Sequence, residues 1–577
     1  MAATSPEVLG AFHGDESFPI EWRDGERELF WVLDDLHCPN PVSPMFFDIG
    51  GWWLTCDHMF RRFGTPFAAD WVAKRINGYV YTAAIPATPG ARPEAEEYGN
   101  RYAPRVPLAP DYAAKIGPYL DWTLPYYAEN FMGWWRDRFI PEMDRNFARL
   151  DGTDTGAASL VELAVLLEDA IEIHDRHWKI HWLLNFAEFS ARSGLEATVK
   201  EVCGEVDAEL LGRLQSSVQD RNWDAVRDLW EIKGEVKADP ELAAAFTRSS
   251  AADVWRALGE TDRGRRLVDE RIAPHQKTFG YKSIWSHEVR FRLWVEDPAP
   301  ILEAIRGYVA SDYDFPASLK AVKDDLRAAQ AELLGPLEGE PRARVARALE
   351  LSLGMNPLTP DHHFYIDQGT NARLRLVLMA IGDKLAGAEV LDDREDVAYL
   401  RYQELRMLMA DPAALGDVKE LVSDRRDEIE DSEQVRPPAW VGTATEAALA
   451  FPYWTNWGFP DRFHAGPVQT VGEVRGLGAS PGVIEGTARW VSSSDEFDQV
   501  RAGEILVCRM TNPAWVVLFT KIGGLVTEAG GTSSHPAVVA REFGIPAVVG
   551  TNDAGARIKT GDRVRVNGGT GVVELLT

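Results

Sequence analysis

The sequence has little that could cross-link it. Its 577 residues include four cysteines, Cys38, Cys56, Cys203 and Cys508, far apart and never in a CxxC pair. That excludes a disulfide framework and a cysteine-rich zinc site, and it fits a reducing compartment. No stretch approaches ~18 uninterrupted apolar residues, so no membrane-spanning helix is expected. Positive charge is also scarce: 61 Lys and Arg stand against 89 Asp and Glu, a net charge of −28. Nucleic-acid binding depends on cations neutralising phosphates, so this chain is not a general nucleic-acid binder. The same charge disfavours an anionic membrane surface. The opening MAATSPEVLGAFHGDESFPI lacks the basic and apolar regions of a signal peptide, and a cytoplasmic location is expected. No GxxxxGK[ST] phosphate loop occurs.

Hydrophobic residues make up 45% of the chain, enough for several domains with substantial cores. Tryptophan is abundant, and eighteen of the twenty precede residue 473. Up to about residue 434 the pattern is mainly helical. Residues 158–190 place apolar side chains at i, i+3 and i+4 without Gly or Pro. Further helices are predicted near 197–216, 240–258, 300–309, 317–334, 341–353, 370–388 and 396–411. The first 150 residues, rich in Pro, Gly and aromatics, read as short helices and ordered loops, with 1–40 as an extension. Residues 435–472 carry five prolines and read as a linker that lies partly on a surface and can pivot. From 473 to 577 the pattern becomes β/α. Strands are predicted at 487–491, 504–509, 523–528, 546–550, 563–567 and 571–576, with a helix over 535–543. This block holds ten basic and eleven acidic residues, so nearly all the negative charge lies upstream. The expected fold is therefore multidomain: a large, mainly α-helical domain over 1–434, then a small β/α domain.

The segment GGLVTEAGGTSSHPAVVAREFGIPAVVGT, residues 523–551, carries the chemistry. A strand leads into Gly530 and Gly531, three hydroxyl residues follow (Thr532, Ser533, Ser534), and then His535 precedes Pro536. Proline is favoured in the first turn of a helix, which puts His535 at a helix N-terminus. Free N–H groups and the helix dipole suit a phosphoryl group there, and the hydroxyls add neutral donors. A neutral imidazole is a competent nucleophile near pH 7. A lone histidine is more often a cap or a packed loop residue. Two glycines, three hydroxyls and His-Pro in succession favour the nucleophile.

Residues 473–577 resemble the mobile, swivelling phosphohistidine domain of the PEP-utilising enzymes, which include PEP synthase, pyruvate phosphate dikinase and rifampicin phosphotransferase. The likeness rests on RGLGASPGVIEGTARWV (475–491), ILVCRMTNPAWVVLF (505–519), the GGTSSH segment, AREFGIPAVVGT (540–551) and GDRVRVNGGTGVV (561–573). It implies that His535 is transiently phosphorylated and that the domain swings between two sites. The family's ATP-grasp domain and the α/β barrel of PEP synthase and the dikinase have no counterpart here. PNPVSPMFF (39–47), DHHFYIDQGTNARLRLVLMAIGDKL (361–385) and DREDVAYLRYQEL (393–405) resemble the acceptor-binding part of rifampicin phosphotransferase, its back two-thirds. This division of labour is similar to that of the two-subunit aryl phosphate synthases for phenol and alkylphenols.

The resemblance makes Asp361, His362, His363 and Asp367 candidates for the general base at the acceptor site. Arg373 and Arg375 are candidates for neutralising phosphoryl oxygens. Their plain alternative is a helix start with Asp361 as cap. A second cluster, His174, His177 and His181, shares one helix face with Trp178 and Trp182. Three ligands from one helix rarely converge on a metal, so no metal site is expected; packing is the first reading and a phenol-binding pocket wall the second.

The expected function is the phosphohistidine-carrying, substrate-binding subunit of a phosphotransferase. ATP and Mg²⁺ would be bound mainly by a separate ATP-grasp subunit, and AMP and phosphate would be released. The expected acceptor is a hydroxyl compound, phenolic in view of the aromatic body. The alternatives are a non-aromatic alcohol or antibiotic as acceptor, or a regulatory scaffold that retains the domain without turnover. The chain alone, incubated with ATP and Mg²⁺, is expected to give no phosphoenzyme by mass spectrometry. Autophosphorylation would reveal a nucleotide site within these 577 residues.

Overall fold

The computed structural model of the chain describes residues 7–56, 58–59, 62, 70–85, 112–204, 207–248, 250–451, 463, 472–492, 494–511, 515–531 and 534–576. The chain divides into two compact units. The first comprises Met1–Ser190, His287–Arg290 and Thr370–Gly466. The second comprises Ala191–Ser286, Phe291–Gly369 and Pro467–Thr577.

The first unit contains a five-stranded antiparallel sheet where short helices and loops were expected. Its strands are β1 (Val8–Phe12), β2 (Phe30–Leu33), β3 (Asp70–Ile76), β4 (Tyr79–Ile85) and β5 (Trp440–Thr445), in the order β1-β5-β2-β4-β3. DWVAKRI and YVYTAAI flank Asn77-Gly78, whose φ values are 46° and 79°. A two-residue Asn-Gly loop with both φ positive matches the natural twist of a hairpin. One face of the sheet buries Trp31, Val72, Ile76, Tyr79, Tyr81 and Val441 together. The expected linker is corrected here as well. Trp440–Thr445 is an interior strand paired with β1 and β2, and a strand hydrogen-bonded on both sides cannot pivot freely. Residues 452–462 and 464–471 of that linker lie outside the described residues.

Long helices complete this unit. Tyr112–Trp134 and Ile140–Asp151 occupy a region expected to hold only short ones. Val418–Glu433 was not anticipated; Asp417 caps it by accepting from the Glu420 N–H. Leu160–Cys203 is one continuous helix of 44 residues, of which the part up to Ser190 belongs to this unit.

The second unit packs helices Arg221–Ala238, Pro240–Phe246, Ala251–Glu260, Ala299–Ala310 and Phe315–Leu334 around one apolar core. The single helix expected over 240–258 is two. Ser250 caps the second through the Asp253 N–H, which ends one helix and starts the next.

Residues 473–576 form an eight-stranded sheet: β6 (Glu473–Arg475), β7 (Leu477–Ser480), β8 (Val483–Trp490), β9 (Ile505–Cys508), β10 (Gly524–Thr527), β11 (Ala547–Val549), β12 (Arg563–Asn567) and β13 (Val572–Leu576). The order is β6-β13-β12-β8-β9-β10-β11-β7. Strands β8 to β11 run parallel, so each link must cross over. Helix His535–Phe543 makes the link from β10 to β11. The domain closes its own core with Val474, Ile505, Val507, Val526, Val548, Val564 and Val573. It also docks on the helices of its unit. Trp515 meets Trp285 with ring centroids 5.7 Å apart, and Phe543 stacks on Tyr313 at 5.4 Å. A large helical region followed by a small β/α domain is thus the architecture. No helix among the described residues is long and apolar enough to cross a membrane.

Gly442 has φ +87°, and a Cβ there would stand 2.1 Å from the Leu29 carbonyl oxygen. Gly442→Ala is expected to destabilise the first unit by at least ~2 kcal/mol, through left-handed strain plus a backbone clash. Urea denaturation checks this.

Candidate active site

After β10 the chain turns at Gly530, where φ is +105° and a Cβ would lie 2.7 Å from Ser534 Oγ. A side chain here would collide with the loop that leads to the histidine. The Ser534 hydroxyl donates to the Gly531 carbonyl at 2.7 Å, and its N–H does so at 3.0 Å. Ser534 occupies the N-cap position in an extended conformation, and its side chain caps no helical N–H. His535 is the first helical residue, and Pro536 stands in the first turn. The helix therefore starts where the sequence placed it, with the N–H groups of its first turn open to a ligand as far as Ser534 is concerned. At the other end Gly544 adopts φ +65° and closes the helix. Thr532 and Ser533 lie outside the described residues, and the His535 backbone alone is described.

The second unit brings His362, His363 and Asp367 together. His363 Nδ1 donates to Asp367 Oδ2, while His362 Nε2 stands 3.8 Å from the same oxygen. His362 Nδ1 donates to the Leu358 carbonyl at 3.0 Å. Residues His363–Gln368 are wound as a π-helix, a form often found at functional sites. Asp361 is not the cap of its own helix: it lies inside Leu358–His362, and its Oδ1 accepts from the Arg221 N–H at 3.0 Å. That N–H opens the neighbouring helix, which explains why the acid sits there.

Arg373 and Arg375 belong to the first unit. Arg373 pairs with Asp151 through Nε at 2.9 Å and Nη2 at 2.7 Å, over the Phe147 ring. Arg375 donates to the Val289 carbonyl and reaches Glu395 at 3.4 Å. Both guanidiniums are thus engaged within that unit.

His174, His177, His181, Trp178 and Trp182 are all buried, as the packing reading expects. His174 Nε2 donates to the Gly50 carbonyl at 3.0 Å. His181 Nε2 accepts from Asn185 at 3.0 Å, and Trp182 donates to Thr55. Asn146 donates to His177 Nε2 at 3.0 Å, so Nδ1 keeps its proton and donates to Thr370 at 2.7 Å. Burial, with His174, Arg176 and Arg373 nearby, pushes the His177 imidazole down to about 3.

A third cluster, announced by no motif, lies in the second unit. His275 Nδ1 donates to Asp228 Oδ2 at 2.7 Å, and Arg271 holds the same carboxylate. Lys282 lies close enough to depress the His275 imidazole further, beyond the effect of burial. These residues are scattered over 55 positions with no motif, so nothing short of the fold assembles them.

Comparison with known proteins fits this geometry. Residues 500–571 match the family model described as PEP-utilising enzyme, mobile domain. Residues 181–355 match the rifampicin phosphotransferase fourth domain. The chain is 27% identical to the uncharacterized phosphotransferase YvkC of Bacillus subtilis, covering 96% of this chain and 63% of that protein. It is 28% identical to chondramide synthase cmdD of Chondromyces crocatus, over 97% of this chain and 14% of that protein. It is 30% identical to a rifampicin phosphotransferase of Streptomyces sp, over 76% of this chain and 49% of that protein. The chain thus spans less than two thirds of the length of these curated relatives. It is a relative of the PEP-utilising phosphotransferases. Its C-terminal domain is similar to their mobile domain, and part of the helical region before it is similar to the rifampicin phosphotransferase fourth domain.

Because His177 is neutral when folded and basic when unfolded, the unfolded chain binds the extra proton between about pH 6.5 and 3. Stability is therefore expected to fall on acidification through that window, by up to ~1.4 kcal/mol per pH unit from this residue. His177→Gln is expected to flatten the slope in urea denaturation between pH 6.5 and 5; an unchanged slope would show that His177 is not buried neutral.

Proposed function

We propose that the chain carries phosphoryl groups on His535 and hands them to a hydroxyl acceptor bound by its helical part. An ATP-grasp domain on a partner subunit supplies the phosphoryl group from ATP with Mg²⁺, so no residue here is assigned to nucleotide or metal. The observation that carries this reading is the start of a helix at His535, directly after a glycine turn, within a segment matched to the mobile domain. The closed apolar core of that domain supports movement as a body. An aryl hydroxyl acceptor is supported by the aromatic body and by the likeness to aryl phosphate synthases. The fourth-domain match favours a second reading, a hydroxyl-bearing antibiotic as acceptor.

The step requires the hydroxyl oxygen to attack phosphorus in line with the bond to His535. The first-turn N–H groups of helix His535–Phe543 face the phosphoryl oxygens as charge moves across them. Asp367, buried beside His362 and His363, is placed to orient an imidazole as a base.

His535→Ala is expected to fold normally, judged by circular dichroism, and to abolish product. The assay mixes chain, ATP-grasp partner, ATP and candidate hydroxyl compounds, phenols and rifampicin among them, and reads the gain of one phosphoryl group by mass spectrometry. Turnover retained in that variant would refute the assignment.

A further inference from the structure

Helix Tyr112–Trp134 of the first unit turns Thr123, Ala128 and Phe131 into the protein. Its opposite face is aromatic and open. Trp122 is 73% exposed, Tyr126 57% and Tyr119 44%. Trp122 is the most exposed tryptophan among the described residues. Pro118 and Pro125 lie beside these rings and are exposed as well. Spacing at i, i+3 and i+7 puts Tyr119, Trp122 and Tyr126 in one stripe, and the Tyr119 and Trp122 rings meet at 6.2 Å. Glu129, exposed, continues the stripe three residues on. Among the described residues, neither the Tyr119 hydroxyl nor the Glu129 carboxylate has a hydrogen-bond partner. Single exposed apolar residues need no explanation, but a contiguous patch marks a surface that something covers.

The chemistry of the stripe selects its occupant. Its one charge is acidic, and the chain carries a net −28, so an anionic membrane surface does not fit. A second copy of the same helix does. Two antiparallel copies, related by a two-fold axis level with Leu124, bring residues equally far from Leu124 to the same height. Trp122 then meets the copy's Tyr126 and Tyr126 meets the copy's Trp122, each about 3 Å along the helix from the axis. Tyr119 and the copy's Glu129 meet about 7.5 Å out. Each hydroxyl is thereby given a carboxylate, and each carboxylate a donor. The two Glu129 positions stay about 15 Å apart along the pair, so their like charges do not oppose each other. A surface that complements itself in this way closes as a two-fold pair.

We propose that the chain associates with a second copy of itself through the stripe Tyr119, Trp122 and Tyr126, with the Tyr119 hydroxyl donating to the copy's Glu129. Aromatic rings supply the buried centre, and the two hydrogen bonds to carboxylate set the register.

Sedimentation velocity of the full chain over a range of micromolar concentrations tests the association. The mass is expected to rise with concentration toward twice 64.2 kDa. Trp122→Lys is expected to keep its circular dichroism and to raise the dissociation constant at least ~30-fold, as loss of a central aromatic anchor does. The register has its own test. Tyr119→Lys sets an amine opposite the copy's Glu129, and carbodiimide coupling of mixed isotope-labelled and unlabelled chains should join residues 119 and 129 of different copies. Within one copy those positions are about 15 Å apart and cannot couple directly. A natural chain that stays monomeric would overturn the proposal, as would a dimer that Trp122→Lys leaves intact or one in which residues 119 and 129 do not couple. A monomeric chain whose phosphorylation by the ATP-grasp partner fails in Trp122→Lys would overturn it too and assign the stripe to that partner.

Discussion

A charge taken out of water must find its opposite or give up its proton, and this rule organises the buried chemistry of the protein. Glu288 follows the first course. Its carboxylate accepts from the Ser43 N–H and hydroxyl at 2.6 and 2.7 Å and from the Val289 and Arg290 N–H groups. Those bonds tie residues 287–290 to the start of helix Pro44–Ile49, which explains why four residues from the middle of the chain belong to the first unit. Arg373 follows the same course with Asp151. His177 follows the second and stays neutral, and burial brings Lys282 down to about 7. Whether a buried group serves structure or chemistry depends on which course is open to it. A paired charge is pinned, whereas a neutral amine or imidazole can still accept a proton.

The phosphohistidine domain avoids the problem. Its core is made of valine, isoleucine and alanine with no buried ion pair among the cluster. Its ion pairs lie outside that cluster: Arg565 with Glu485 and Glu574 is half-exposed, where each contributes little, while Arg489 pairs with the buried Glu504. What its loops need is steric: Gly530 and Gly544 adopt backbone angles that other residues resist, one before the histidine and one after its helix.

The parts that were legible from sequence were those encoded locally. Gly530, Gly531, His535 and Pro536 form one contiguous signal, and helix His535–Phe543 has the predicted bounds. Strands of the same domain were found because short β-rich runs alternate with Gly and Asp. The five-stranded sheet escaped because its fifth strand lies over 350 residues from its fourth. Periodicity has no view of such pairing. Asn77-Gly78, by contrast, was a readable hairpin signal in a stretch dominated by prolines and aromatics. Trp440–Thr445 was read as linker because Pro437 and Pro438 precede it; those prolines stop just short of the ladder. Asp228, His275 and Lys282 carry no motif, and burial alone makes them unusual.

The contact between the C-terminal domain and the helices of its unit suits the carrier role proposed for it. Trp285 against Trp515 and Tyr313 against Phe543 are aromatic pairs, each worth ~0.5–1.5 kcal/mol beyond the area it buries. An ion pair across the same contact would weaken with salt and would respond to the charge of a phosphoryl group on His535, were it to carry one as proposed. Aromatic faces respond to neither. The contact is anchored at Phe543, the last residue of the helix that His535 begins, so the docked and reactive ends of one short helix are opposite. Eight residues at ~1.5 Å each place them about 12 Å apart.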